Sequence, residues 1–288
     1  MNNPVDSHAR SMSIRAKANN LAKKTGISPQ AALQAYFTER FLARLSRSEY
    51  ASSMIIKGGT LMSSLLGIAE RTTMDIDATL IGSSGNEAVI RSVVEKICGI
   101  NADDGITFSV NESEHIRKDD EYDGFGFSLI ATLGTIRLSI GIDVTVGDAI
   151  TPAPTSFDYK HVLDDDRPIR LLAYTTETLL AEKLQTMLKR SAMTTRPRDF
   201  YDVYKIETSG RYNEGLLVLA VEATFRNRKS ESLLPQRYQL LETIRQSKTI
   251  HEMWKKYQKQ FPYASDISLE MALASAKRLF DHLPTPSE

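Results

Sequence analysis

The chain of 288 residues has a single cysteine, a single tryptophan and no net charge, its 36 lysines and arginines being matched by 36 acids. One cysteine excludes an intramolecular disulfide. Cys98 sits in the helix-like "VIRSVVEKICGI", where a small buried apolar residue is expected in preference to a catalytic thiol. No run of about 18 uncharged apolar residues exists, which excludes a membrane-spanning helix. The start, "MNNPVDSHAR", lacks the basic-then-apolar form of a signal peptide, so the expected location is the cytoplasm, with no membrane partner. Repeats of fixed period and low-complexity tracts are also missing. So are a Walker loop and, around Gly124-Phe-Gly126, the remaining glycine of a Rossmann turn.

What is present is a globular composition, 41% hydrophobic and 25% charged, long enough for two domains or one elaborated domain. Zero net charge hides segregation. Residues 1–50 carry eight Lys/Arg against three Asp/Glu and residues 221–260 nine against four, whereas 111–166 carries four against twelve. Solvated helix faces account for this, and so does an electropositive rim for an anionic polymer around a carboxylate site. In the second reading the rim residues are Arg10, Arg15, Lys17, Lys23 and Lys24 at one end, and Arg226, Arg228, Lys229, Lys255, Lys256 and Lys259 at the other.

Periodicity predicts a helix over 11–24 ended by Gly26, then a second opened by Ser28 as cap and Pro29 at its first position. "SMIIKGGT" reads as a short extended or helix-end segment into a glycine turn, "LMSSLLGIAE" as helix, and "TMDIDATL" as a strand. "NEAVIRSVVEKICGI" is an amphipathic helix. "ITFSVNESEHIR", "FGFSLIATL" and "TIRLSIGIDVTVG" are strands, the last two forming a hairpin around Gly134. A loop rich in Pro and Asp is expected over 150–168, and helix from Thr176 on. The predicted fold class is α+β: a small mixed sheet with an N-terminal helical arm (1–50), a core (51–170) and a C-terminal helical bundle (171–288).

On a strand, residues two apart face the same way, so Asp75 and Asp77 share one face while Ile76, Ala78 and Leu80 fill the other. Carboxylates this close repel unless a cation lies between them, and Mg²⁺ takes one or two carboxylates plus substrate phosphates. By the same alternation Asp143 faces away from the apolar stripe Ile136, Leu138, Ile140, Ile142, Val144 and Val146, and is a candidate third ligand from a neighbouring strand. The plain alternative is three solvent-facing acids. Gly58 and Gly59 allow backbone N–H groups to approach a phosphate at a helix start, or make an ordinary strand-to-helix turn.

In "TTETLLAEKLQTMLKR", Leu180, Leu184, Met187 and Leu188 form an inward stripe that includes Lys183. The lysine either snorkels its ammonium outward, in which case methionine would replace it without cost, or reaches into a cleft. In "RPRDFYDVYKI", Pro197 starts a helix that puts Asp199 and Asp202 on nearly one face. They serve as helix-start acids or, with Arg196 and Arg198, as a polar cluster opposite Lys183.

Together, "SIRAKANNLAKKTGISPQAALQAYFTERFLARLSRSEY", "IIKGGTLM", "RTTMDIDATL", "IDVTVGD", "LLAEKLQTMLKR" and "RPRDFYDVYKI" resemble the AbiEii/AbiGii toxin family of nucleotidyltransferase-like proteins of bacterial abortive-infection and toxin–antitoxin operons. The resemblance implies a nucleotidyltransferase core in which Lys57, Gly58, Gly59, Thr60 and Thr73 bind an NTP, with Lys183 contributing. It implies Mg²⁺ on Asp75, Asp77 and Asp143, and Lys183 with one of Asp199 or Asp202 completing the catalytic set. The implied reaction is transfer of a nucleoside monophosphate to the 3′ end of tRNA, blocking translation, with a cognate antitoxin as partner. A Mg²⁺-dependent phosphodiesterase or nuclease, and a non-enzymatic nucleic-acid or partner-binding module, stand as alternatives.

Overall fold

The structure, a computed structural model, describes residues 4–83, 85–116, 124–163 and 167–284. It divides into two compact units, residues 1–148 with 155–173, and residues 149–154 with 174–288.

The first unit opens with α1 (Pro4–Thr25), longer at its start than the predicted helix, and α2 (Pro29–Leu45). Gly26, at φ +77°, ends α1, and the Ser28 hydroxyl accepts from the Ala31 N–H at 3.1 Å to start α2. There follow β1 (Met54–Ile56), α3 (Gly58–Leu66), β2 (Asp75–Leu80) and α4 (Glu87–Cys98). The long strands β3 (Thr107–Ile116), β4 (Gly124–Leu133) and β5 (Ile136–Thr145) come next, and then β6 (Thr155–Tyr159) and β7 (Ile169–Ala173). The seven strands form one mixed sheet in the order β3-β4-β5-β2-β1-β7-β6, with β5–β2 and β1–β7 parallel and the other pairs antiparallel.

Strands β6 and β7 correct the sequence reading, which made 150–168 a loop and assigned no strand after it. Strand β6 is an edge strand, mostly exposed, so it carries no alternating apolar signal; β7 is five residues long and follows Pro168. The aspartates 164–166 of that loop, and Asp119, Asp120, Glu121 and Asp123 of the acidic middle, lie outside the described residues. The β4–β5 hairpin turns at Gly134, at φ +54°, where a β-carbon would come within 2.6 Å of the Ser7 carbonyl of α1. Phe37, Phe41 and Leu42 of α2 and Ile90, Val94 and Ile97 of α4 are fully buried, as are Leu129, Ile140, Ile142 and Val144 of the sheet. Cys98 closes α4 buried, and burial pushes its thiol up to about 12, so it is neutral and inert as a nucleophile.

The second unit is helical: α5 (Thr176–Arg190), α6 (Pro197–Ser209), α7 (Glu214–Asn227), α8 (Arg237–Gln246), α9 (Lys248–Gln260) and α10 (Leu269–Asp281), with short 3₁₀ turns between some of them. Leu180, Leu184, Phe200, Val203, Leu217, Val221, Phe225 and Phe280 form its core. Among the described residues no helix is long and apolar enough to cross a membrane.

Candidate active site

In the first unit, β2 and β5 run parallel in the register Asp75↔Gly141, Asp77↔Asp143 and Thr79↔Thr145. Side chains of paired residues on adjacent strands share a face, so these six positions form one polar strip down the sheet. Asp75 is exposed and Asp77 and Asp143 are half-buried. The helix start lies beside them. Lys57, the capping position of α3, makes no side-chain cap, and the Asp77 carboxylate takes that place by accepting from the Gly59 N–H at 2.7 Å. Thr60 accepts from the Asp77 N–H at 2.8 Å and donates to the Asp75 carbonyl at 3.2 Å, and Thr73 donates to the same carbonyl at 3.2 Å.

Both glycines of the turn are required here. Gly58 is at φ +51°, and a β-carbon on it would lie 2.6 Å from Asp77 Cγ; one on Gly59 would lie 2.8 Å from Thr73 Oγ1. The space the absent side chains leave is therefore filled by Asp77 and Thr73. A third glycine that the sequence reading passed over does the same: a β-carbon on Gly141 would meet Asp75 Oδ1 at 2.3 Å. The strip opens into a cavity of about 700 Å³ lined by Asp75, Asp143, Glu112, Glu114, Gln30 and Gln34, among others. Gln34 ties α2 to this floor, donating to the carbonyls of Met74 at 2.9 Å and Ser139 at 3.1 Å. Glu112, Glu114 and the glutamines carry no motif; only the fold brings them here.

At the other end of the strip the polar groups are buried. Lys57 is 4% exposed, and its ammonium donates to Thr145 Oγ1 at 2.7 Å and pairs with Asp148, which also accepts from Thr79 at 2.5 Å. Lys57, expected to meet a nucleotide, is thus engaged by a carboxylate that the sequence reading missed, since a lone acid after a glycine has no signature.

The second unit brings Lys183, Asp199 and Asp202 together. Lys183 is 7% exposed and donates to Asp199 Oδ1 at 3.0 Å and to Asp202 Oδ2 at 2.6 Å. The snorkelling alternative fails: the ammonium stays inside. Asp199 takes a second bond from Arg196 Nε at 2.9 Å, whereas Arg198 stacks over the Phe261 ring, 5.0 Å from its centre. Of the expected rim cations, Arg10 and Arg15 donate to the carbonyls of Asp103 and Thr135, and Arg228 bonds Gln185 and Glu182, at 2.5 Å for the latter.

Among the described residues no group of three His, Cys, Asp or Glu is placed to hold a metal ion. The pair Asp77 and Asp143 suits Mg²⁺ in its usual protein setting, one or two carboxylates with the remaining positions left to phosphate and water.

Residues 40–275 match the family model described as nucleotidyl transferase AbiEii toxin, Type IV TA system. No curated protein matches the chain. A crystal structure from H. pylori, described as a nucleotidyltransferase, superposes with a TM-score of 0.50 at 14% identity, covering 88% of this chain and 94% of that one. JHP933 from Helicobacter pylori gives 0.43 at 16% identity, covering 83% and 99%. An antigenic nucleotidyltransferase-like protein from Paracoccidioides brasiliensis gives 0.37 at 13%, covering 82% and 92%. At these identities the first of the three supports the fold, and the other two carry nothing further.

Proposed function

The chain belongs to the AbiEii nucleotidyl transferase toxin family, a membership that brings an NTP substrate and an antitoxin partner, and from it we propose a cytoplasmic enzyme that moves a nucleoside monophosphate from an NTP to the 3′ end of tRNA, blocking translation. The observation that carries the reading is the in-register pair Asp77 and Asp143 beside the N-terminus of α3. Two acids held side by side on a sheet face, next to the positive end of a helix, suit a metal–triphosphate better than they suit each other.

Asp77 and Asp143, rather than all three expected aspartates, would hold Mg²⁺, which when bound neutralises charge on the triphosphate and on the transferring phosphoryl group. The chain's own groups do the rest. Backbone N–H groups of Gly58 and Thr60 at the start of α3 bind phosphate oxygens beside the Gly59 N–H, which Asp77 holds, and Thr60 and Thr73 hold the β2 backbone that carries the aspartates. Asp143 accepts the proton of the acceptor hydroxyl as its oxygen bonds to the α-phosphorus; the bond to the β-phosphate breaks and pyrophosphate leaves. Lys183, with Asp199 or Asp202, is the catalytic candidate of the helical unit. Its support is physical: a buried ion pair returns in attraction little more than it costs in desolvation, so a lysine held between two carboxylates is a candidate for function.

The test is transfer of label from each α-labelled NTP to purified tRNA and, separately, to total protein. Label on tRNA, lost in Asp77→Ala, is expected. Label on protein alone would overturn the RNA acceptor, and none anywhere the transferase.

A further inference from the structure

Gln34 of α2 lines the carboxylate cavity and is itself only 4% exposed. Its amide nitrogen donates to two main-chain carbonyls of the cavity floor, those of Met74 at 2.9 Å and Ser139 at 3.1 Å. Both partners can only accept, so the side chain must turn its NH₂ to them, and both amide hydrogens are spent. What is left is Oε1. It takes no bond from any described residue, and it is not among the buried side-chain atoms sealed off without a partner, so it opens on the cavity. The tie between α2 and the floor uses the nitrogen alone and leaves the oxygen a fixed acceptor to which nothing yet donates.

We propose that Gln34 reads the terminal base of the acceptor RNA, its Oε1 accepting a hydrogen bond from an exocyclic amine such as that of adenine or cytosine; the acceptor itself rests on the function proposed above.

Position gives this oxygen to the acceptor in preference to the NTP. The sheet order puts β5, with β4 and β3 beyond it, on one side of β2, and β1, which leads into α3, on the other. In-line transfer needs the attacking hydroxyl and the departing pyrophosphate on opposite sides of the α-phosphorus. With the triphosphate at the start of α3, the attacking nucleoside comes from the β5 side, where Asp143 takes its proton. The cavity runs on that side, lined by Ser139, Gly141 and Asp143 of β5, Ser128 of β4 and Glu112 of β3. Ser139 precedes Asp143 by four residues, about 13 Å along the strand, a span that one nucleoside covers with a hydrogen bond at each end. At about 700 Å³ the cavity has room for it.

Chemistry selects the group. Oε1 accepts and cannot donate, so a phosphate oxygen or the keto oxygen of uracil meets it lone pair to lone pair, whereas an amine satisfies it. A site built to bond an N–H discriminates against the analogue that lacks it, because its own polar group is then left unpaired.

The experiment leaves the protein intact and edits the RNA by one group. Fluorescent trinucleotides ending in adenosine and in purine riboside, which is adenosine without its amine, are titrated against the full chain without NTP and then used as acceptors with α-labelled NTP. The adenosine RNA is expected to bind about fivefold more tightly, the worth of one hydrogen bond, and to be labelled in preference by a similar factor in kcat/KM that lies in KM. Gln34→Met should remove the preference while its affinity for the purine riboside RNA stays at the wild-type value. That variant also unties two carbonyls of the floor, so if it does not fold the wild-type comparison decides alone. Equal wild-type affinity for the two RNAs overturns the assignment. So does a preference that survives in folded Gln34→Met, or one that separates ATP from purine riboside triphosphate and not the two acceptors. Label on both RNAs without preference sinks the base reading and leaves the transferase standing; preferential binding with no label anywhere sinks the transferase and leaves the base reading.

Discussion

Asp77 and Asp143 stand in register on neighbouring strands, half-buried beside a polar cavity, while Asp199 and Asp202 are almost wholly buried and share the ammonium of Lys183. The same side chain thus sits under opposite electrostatic conditions. In the sheet unit like charges are neighbours, so removing the Asp143 charge relieves repulsion, whereas Asp77 also caps α3 through the Gly59 N–H. In the helical unit the carboxylates are compensated, and removing the compensation strands them in a medium where an ion is costly. Substitutions of the first kind should separate activity from stability; those of the second should damage both.

The sharpest way to break this contrast is Lys183→Met. The methionine fills the apolar stripe but takes the ammonium from buried Asp202 and leaves Asp199 with Arg196 alone, and breaking a buried ion pair typically costs about 3–5 kcal/mol. Denaturant unfolding is expected to show a loss of that order, the reverse of the tolerance expected of a snorkelling lysine. A midpoint equal to wild type would mean that the lysine compensates nothing.

Asp148→Asn comes next. It weakens the buried partner of Lys57 in the sheet unit, with an expected loss of about 1–3 kcal/mol, the cost of a poorly satisfied buried polar group. Pairing Lys57→Met with Asp148→Leu should recover much of it, because both charges are then gone. Failure of the double variant to improve on the single one would place the cost in packing.

A third substitution tests the open side of the comparison. Asp143→Asn keeps the shape and removes one of two adjacent charges, so the midpoint should hold or rise slightly while label transfer falls by about 10²–10⁴, the range lost with a general base. Mg²⁺ should raise the wild-type midpoint more than that of the variant. Equal Mg²⁺ shifts in both proteins would remove Asp143 from the metal site.

These contrasts were unevenly legible in the sequence. Alternation alone put Asp75 and Asp77 on one strand face and Asp143 on the polar face of another, because period two is a property of the backbone and needs no partner. Helical spacing likewise placed Lys183 inward and Asp199 and Asp202 on one face. What stayed hidden depended on long-range pairing. Nothing local reveals that Asp148 takes Lys57, that Gln34 of α2 bonds the Met74 carbonyl, or that Gly141 is small for the sake of Asp75, since these contacts join positions 91, 40 and 66 residues apart. Strand β6 was lost for another reason: an edge strand exposed on most of its length has no burial pattern to read.

The smallest effect concerns an ion pair at the margin of the helical unit, intermediate between the two acidic clusters. Glu207 of α6 accepts from Arg278 of α10 at 2.6 Å, and this bond holds its carboxyl below the ordinary value of 4.5. A depressed carboxylate contributes stability that is present above the ordinary value and lost as pH falls through the lowered one. Arg278 is half exposed, so water and salt screen the pair and its worth is under about 1 kcal/mol. Arg278→Gln should therefore melt slightly below wild type at pH 7 in low salt, with the difference closing both as pH drops below the ordinary glutamate range and as salt is raised. A difference that persists at low pH would show that the arginine acts through its packed stem, and the pair would then belong with neither cluster.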